Sequence, residues 1–279
     1  MQRNWRRRAL AIGVAAVLLV GACGGDDDSG GSADSTIPDE PVSGVTPADL
    51  VTWCAAMQEV DLRIAALSSG QGDPTATGAA IATTEETAPP EIAPAVDELV
   101  AYNRAIVADA EAAASEAPPS APTIPPDSYF SASAEAGKYM ADNCDFENVE
   151  VTATEYTFEG LDGDLAPGMT LMQFTNDGDE YHEIDIEKLA DGEERSVDEL
   201  LDLMQTAPDQ AAALVTPVAL TFAPPKSATY AIFSLAPGRY LAMCHVPVGA
   251  TPEALQSGEH LDESDSHLTH GMITEFTVT

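Results

Sequence analysis

The sequence predicts an α+β chain: a small N-terminal helical bundle, then an all-β sandwich that carries a helical insertion. Three observations predict it. Apolar residues recur at helical spacing across much of residues 46–146. From Val149 onward the texture changes to short β-rich runs bounded by Gly, Pro, Asn and Asp. Within that second region one stretch, Ser196–Met204, returns to the helical pattern.

The first helix opens at Thr46, which can cap it. Pro47 suits the first turn and Asp49 faces the positive helix end. Leu50, Trp53, Cys54, Met57, Val60, Ile64 and Leu67 then repeat at helical spacing. A Gly/Thr/Pro-rich stretch, Ser68–Pro90, breaks the pattern. A second helix is expected over Pro94–Ser115, with Val96, Leu99, Ile106 and Val107 inward, and the proline-rich Pro118–Pro126 separates a third over Asp127–Asn143. Three helices are therefore expected.

Candidate strands are Val149–Phe158, Thr170–Thr175, Tyr181–Glu187, Val218–Phe222, Thr229–Leu235, Tyr240–Val246 and Met272–Val278. In the last, Met272, Thr274, Phe276 and Val278 share one face. Seven short strands in this length favour an antiparallel sandwich. The insertion reads as a helix because Ser196 and Glu199 form a capping box, with Val197, Leu200, Leu201 and Met204 on one side.

The N-terminus has the layout of a cleaved export signal. Arg3, Arg6, Arg7 and Arg8 precede the apolar Ala9–Val20, which is short for a membrane span, and the small residues Gly21 and Ala22 follow. Val20-Gly21-Ala22-Cys23 resembles the lipobox of bacterial lipoproteins. That resemblance implies cleavage after residue 22, lipid on Cys23, and anchorage on the extracytoplasmic face of the cell membrane. Residues 23–45, rich in Gly, Ser and Asp, read as a disordered acidic tether that cannot bury a core. Two folded parts then follow, a helical domain over 46–146 and a β domain over 147–279.

The formal charge of the whole chain is −36. Loss of the four signal arginines leaves seven basic residues against 47 acidic ones, a charge near −40. Such a surface repels nucleic acid and anionic headgroups. It suits either a basic partner or simple solvation.

The four cysteines divide by place. Cys23 takes the lipid. Cys54 in the first helix and Cys144 at the end of the third are expected to oxidise outside the cytoplasm, two buried thiols being the alternative. Cys244 is then left unpaired in the β domain and calls for an explanation. It lies near the end of a strand, Gly238-Arg239-Tyr240-Leu241-Ala242-Met243-Cys244. His182 follows Phe174-Thr175-Asn176-Asp177-Gly178, and His267 and Met272 frame the turn before the last strand. A thiolate, two imidazoles and a thioether are the donor set of a type 1 copper site.

These residues resemble a cupredoxin, the plastocyanin-like family. Phe174, Asn176, Gly178 and His182 match its Phe-x-Asn-x-Gly-x-x-x-His pattern, Gly238, Tyr240 and Cys244 its Gly-x-Tyr strand, and His267 and Met272 its His-x4-Met ending. The resemblance covers Val149–Thr279 and implies a Greek-key sandwich with one copper held by His182, Cys244, His267 and Met272. Twenty-two residues separate Cys244 from His267, far more than in small cupredoxins, as in extended plastocyanin-like bacterial lipoproteins. His245, His260 and His270 are spare histidines, and His245 should face away from Cys244. The function expected is one-electron transfer with an unidentified redox protein and no enzymatic step. A copper chaperone or sensor, or a metal-free interaction module of the same fold, are the alternatives. No Cys-x-x-Cys-His for haem and no Gly-x-Gly-x-x-Gly is present.

Overall fold

The computed structural model describes residues 47–68, 72–113, 125–161, 163–257, 260–262 and 264–279. The expected signal, Cys23 and the tether lie outside the described residues. No helix among the described residues is long and apolar enough to cross a membrane.

Four helices come first: α1 Pro47–Ser68, α2 Pro74–Glu86, α3 Ala93–Ala113 and α4 Asp127–Asn143. The helix α2 is a correction, because it occupies the stretch read as a break. Asp73 caps it by accepting from the N–H groups of Thr75 and Ala76, and Pro74 sits in its first turn. Its buried residues are Thr77, Ala80, Ile81 and Thr84, spaced three and four apart. Small residues let it lie close to its neighbours, and they also hide its apolar stripe from a reading based on large side chains. Trp53, fully buried, meets the Tyr139 ring edge-on at 5.6 Å. Cys54 and Cys144 are joined in a disulfide that ties the middle of α1 to the end of α4.

The β region comprises β1 Glu147–Thr154, β2 Thr157–Glu159, β3 Asp164–Leu165, β4 Gly168–Asn176, β5 His182–Leu189, β6 Val215–Ala223, β7 Ser227–Leu235, β8 Gly238–Met243 and β9 Ile273–Val278. They form two sheets, ordered β2-β1-β4-β7 and β3-β9-β8-β5-β6, which is the sandwich that the resemblance implied. The expected first strand is split. A turn at Glu155–Tyr156, with Tyr156 at φ +66°, folds its second half back as β2. The sandwich is also mixed rather than antiparallel throughout, because β1 runs parallel to β4 and β3 parallel to β9. After β2 the chain crosses to the second sheet as β3 and returns beside β1 in the same direction.

Between the sheets lies a core that includes Val151, Phe174, Ile184, Ile186, Phe233, Tyr240, Phe276 and Val278. The outer faces are covered as well, so the molecule is layered helix, sheet, sheet, helix. Leu171 of β4 and Ile232 of β7 belong to the core of the four-helix layer, so helices and sandwich share buried surface. Close approach of α4 to β7 depends on Gly137, where an added Cβ would stand 1.9 Å from the Tyr230 ring. Strand β7 ends its sheet, and the helices supply acceptors for its N–H groups: Ser133 Oγ for Tyr230 at 3.3 Å and Asp61 Oδ2 for Ile232 at 3.1 Å. Burial in that seam pushes the Asp61 carboxyl up to about 7, against the pull of the Ile232 hydrogen bond.

On the far side, α5 Val197–Thr206 is capped by the reciprocal Ser196–Glu199 box that its sequence predicts. Its Leu200 packs with Leu189, Leu241, Met243 and Leu268 on the outer face of the second sheet. A short α6, Pro208–Ala212, leads into β6. Arg239 of β8 holds the loop before α5, bonding the carbonyls of Glu193 and Arg195 while pairing with Glu275 of β9 at 2.6 Å.

Candidate metal centre

Three expected ligands converge at one end of the sandwich. His182 is the first residue of β5, Cys244 follows β8, and His267 opens a short 3-10 turn, His267–His270, that ends at Gly271. Gly271 takes φ +95°, which lets the chain turn from there into β9 without Cβ strain. His182, Cys244 and His267 are all fully buried. Cys244 Sγ stands 3.3 Å from His267 Nδ1 and 3.9 Å from His182 Nδ1, and the two Nδ1 atoms are 3.0 Å apart. Donors roughly 2.0–2.3 Å from a shared ion in a trigonal plane lie about 3.5–3.7 Å from one another. The observed triangle is close to that size, so these residues fit a single ion.

Met272 is fully buried in the same inter-sheet core as Cys244. Its carbonyl accepts from the Cys244 N–H at 3.2 Å and its N–H donates to the His267 carbonyl at 3.0 Å. Main-chain bonds thus lace the fourth expected residue to two of the other three.

Separation in sequence is bridged by a closed neck. The His267 N–H donates to the Val246 carbonyl and the Val248 N–H to the Asp265 carbonyl, both at 2.9 Å, and Pro247 pairs with Ser266. The long excursion, which carries α7 Pro252–Ser257, therefore leaves and returns at one point. His267 reaches Cys244 as directly as if the loop were short.

The segment before β5 is fixed by Asn176 and Gly178. Asn176 Oδ1 accepts from the Gly178 N–H, and its Nδ2 donates to the carbonyls of Glu180 and Ala223. Gly178 is needed for space: a Cβ there would lie 2.6 Å from His182 Nε2. The Asn-x-Gly-x-x-x-His part of that spacing thus has a local cause: Asn176 fixes the turn before the histidine and Gly178 makes room for its ring.

Electrostatics favour a neutral His182 imidazole and a protonated Cys244 thiol in the metal-free protein. Burial, reinforced by His267, pulls His182 down to about 4. Burial pushes the Cys244 thiol up to about 12, opposed by the N–H of Glu183, which donates to Sγ at 3.4 Å. A metal ion binding there displaces the thiol proton.

Tyr156, Glu180 and Glu155 complete the site, and none was singled out from sequence. The Tyr156 ring lies edge-on to His267 at 5.3 Å and stacks on His270 at 4.8 Å. Glu180 Oε2 is 3.0 Å from His267 Nε2. Glu155 Oε1 comes no nearer than 3.9 Å to His182 Nε2. Their only sequence signal is position, beside a strand end or within the turn that leads to His182. The spare histidines stand apart. His245 is exposed, with its N–H on Glu183 and its ring 3.7 Å from Asp185. His270 pairs with Asp265 at 2.7 Å, and His260 is exposed in the excursion.

No protein-family model and no curated protein matches the chain. Among solved structures similar to it is reduced auracyanin from the photosynthetic bacterium Roseiflexus castenholzii, 19% identical, covering 47% of this chain and 96% of that one at a TM-score of 0.30. Auracyanin A, a "blue" copper protein from Chloroflexus aurantiacus, is 16% identical and covers 47% of this chain and 98% of that one at 0.28. The multicopper oxidase McoA from Aquifex aeolicus, 11% identical, covers 49% of this chain and 30% of that one at 0.28. Auracyanins and multicopper oxidases are thus both represented among its structural neighbours.

Proposed function

We propose that the chain is a copper protein that passes single electrons from the outer face of a membrane. His182, Cys244 and His267 hold the ion, with Met272 as a weaker fourth ligand. The observation that carries this reading is the convergence of one thiol and two imidazole nitrogens in a fully buried pocket. Thiolate and thioether suit Cu(I) and imidazole suits both states. Bound there, copper supplies a one-electron couple. The chain's part is to keep the donors in one place: β5, β8, the closed neck and Gly271 fix all three ligands before any ion arrives.

The same rigidity favours electron transfer over chaperone or sensor action. Exchange of the ion calls for a loop that opens, and the neck of the excursion is bonded on both strands. The chain transfers electrons without a catalytic step, with an unidentified redox protein as partner. Export and a lipid on Cys23 belong to the same proposal, and the Cys54–Cys144 disulfide supports it because such bridges persist in oxidising compartments.

The test is a Cu(II) titration of the full chain in detergent, followed by visible absorption. One equivalent is expected to bind, with an intense thiolate-to-copper band that Cys244→Ser abolishes. A chain that takes up no copper, or a band that survives in Cys244→Ser, contradicts it.

A further inference from the structure

The two imidazoles of the centre are treated differently on the side away from Cys244. His182 Nε2 is buried without a hydrogen-bond partner. His267 Nε2 meets Glu180 Oε2 at 3.0 Å. That carboxylate is itself held. Its Oε2 also accepts from the Gly249 N–H at 2.6 Å, its residue's carbonyl accepts from Asn176 Nδ2 at 2.8 Å, and the next N–H, of Tyr181, donates to the Ala250 carbonyl at 2.8 Å. The Glu180 side chain is 18% exposed and His267 is wholly covered. Glu180 therefore ties three pieces together: the turn that carries His182, the neck of the long excursion, and the imidazole of His267.

A histidine offers a lone pair at one nitrogen only when its proton sits on the other. An acceptor fixed at Nε2 puts the proton there and leaves Nδ1 free toward Cys244 and His182. We propose that Glu180 is a positioning residue of the metal centre: it holds His267 in the ligating tautomer, and its negative charge biases a bound ion toward the more positive oxidation state. This rests on the copper reading above, and extends it to a residue outside the ligand set. Carboxylates behind ligating histidines orient the ring and raise its basicity, and their loss costs roughly 10–100-fold in metal affinity.

Two variants separate charge from geometry. In Glu180→Gln the amide oxygen still accepts a hydrogen bond but the charge is gone. In Glu180→Ala both are gone. The full chain carrying each is examined by nitrogen-15 NMR of His267 without metal, then by copper titration and spectroelectrochemistry. The metal-free wild type and Glu180→Gln keep the Nε2–H tautomer, and Glu180→Ala loses it. Glu180→Gln binds Cu(II) about tenfold more weakly relative to Cu(I), a rise in potential of about 60 mV for a one-electron couple. Glu180→Ala loses roughly 10–100-fold in copper affinity. A residue that merely pins the loop leaves the tautomer unchanged in Glu180→Ala and the potential unchanged in Glu180→Gln, and that pair of results overturns the proposal. A wild type that takes up no copper overturns the underlying reading as well. A wild type that binds copper alongside variants indistinguishable from it removes Glu180 alone.

Discussion

Gly178 makes room for His182, and replacing it by alanine puts a number on how tightly the site is built. The new Cβ would stand 2.5 Å from Glu155 Oε1, 2.6 Å from His182 Nε2 and 3.1 Å from Asn176 Oδ1. Glu155 is an exposed, flexible end and swings aside, losing its hydrogen bond from the Asp179 N–H, about 1 kcal/mol. His182 has no such freedom. It is fully buried with its ring centroid 4.7 Å from that of His267. To regain ordinary contact at 3.4 Å the imidazole must retreat by roughly 0.8 Å. Overpacking of this kind costs about 1–3 kcal/mol, so Gly178→Ala is expected to destabilise the metal-free chain by about 2–4 kcal/mol. At about 2–4 °C per kcal/mol for a chain of this size, Tm falls by roughly 5–15 °C. Thermal unfolding of the metal-free protein reads the stability, and a copper titration reads the displaced ligand as weaker binding. A Tm within about 1 °C of wild type together with unchanged copper affinity would refute the packing argument.

Further predictions follow from the same structure. The Cys54–Cys144 bridge spans 90 residues of sequence, so its removal in Cys54→Ser/Cys144→Ser should cost about 4–5 kcal/mol in urea unfolding while leaving the copper band in place. Gly137→Ala drives a methyl into the Tyr230 ring, whose hydroxyl donates to Gln173 at 2.7 Å. Despite about 1 kcal/mol of helix propensity gained, a net loss of about 1–3 kcal/mol is expected, and the smaller side chain of Tyr230→Ala in the same chain should remove the clash in a double-mutant cycle. Asp61 is held at about 7 in the folded protein against 3.8 ordinarily, so the proton it keeps adds stability fully below about pH 4, and that gain is lost as the pH rises through about 7. Asp61→Asn escapes that loss, and its stability relative to wild type should improve by on the order of 2–4 kcal/mol between pH 4 and pH 8. Parallel stability curves for the two proteins would contradict it.

The sequence displayed the ligands because each sits in a short local pattern. Asn176 and Gly178 precede His182 within one turn, Gly238 and Tyr240 mark the strand of Cys244, and His267 and Met272 bracket a single tight turn. The capping box of α5 was legible for the same reason. Features that depend on distant chain were not. Glu180 meets His267 across 87 positions, Asp61 meets Ile232 across 171, and no local pattern marks either. The parallel pairing of β1 with β4 is likewise a matter of crossover rather than of alternation along a strand. The helix α2 is an intermediate case. Asp73-Pro74 is a start signal in plain sight, but the stripe behind it holds a single large apolar residue, Ile81, among Thr and Ala. The 22-residue gap before His267 does not separate it from Cys244, because the bonded neck at Val246–Val248 returns the chain to the point where it left.

Anomalous diffraction at the copper edge, from crystals of the copper-loaded chain, locates the bound ion. One strong peak is expected within bonding distance of His182 Nδ1, His267 Nδ1 and Cys244 Sγ. A peak at His245, His260 or His270 instead, or none at the three buried residues, would contradict it.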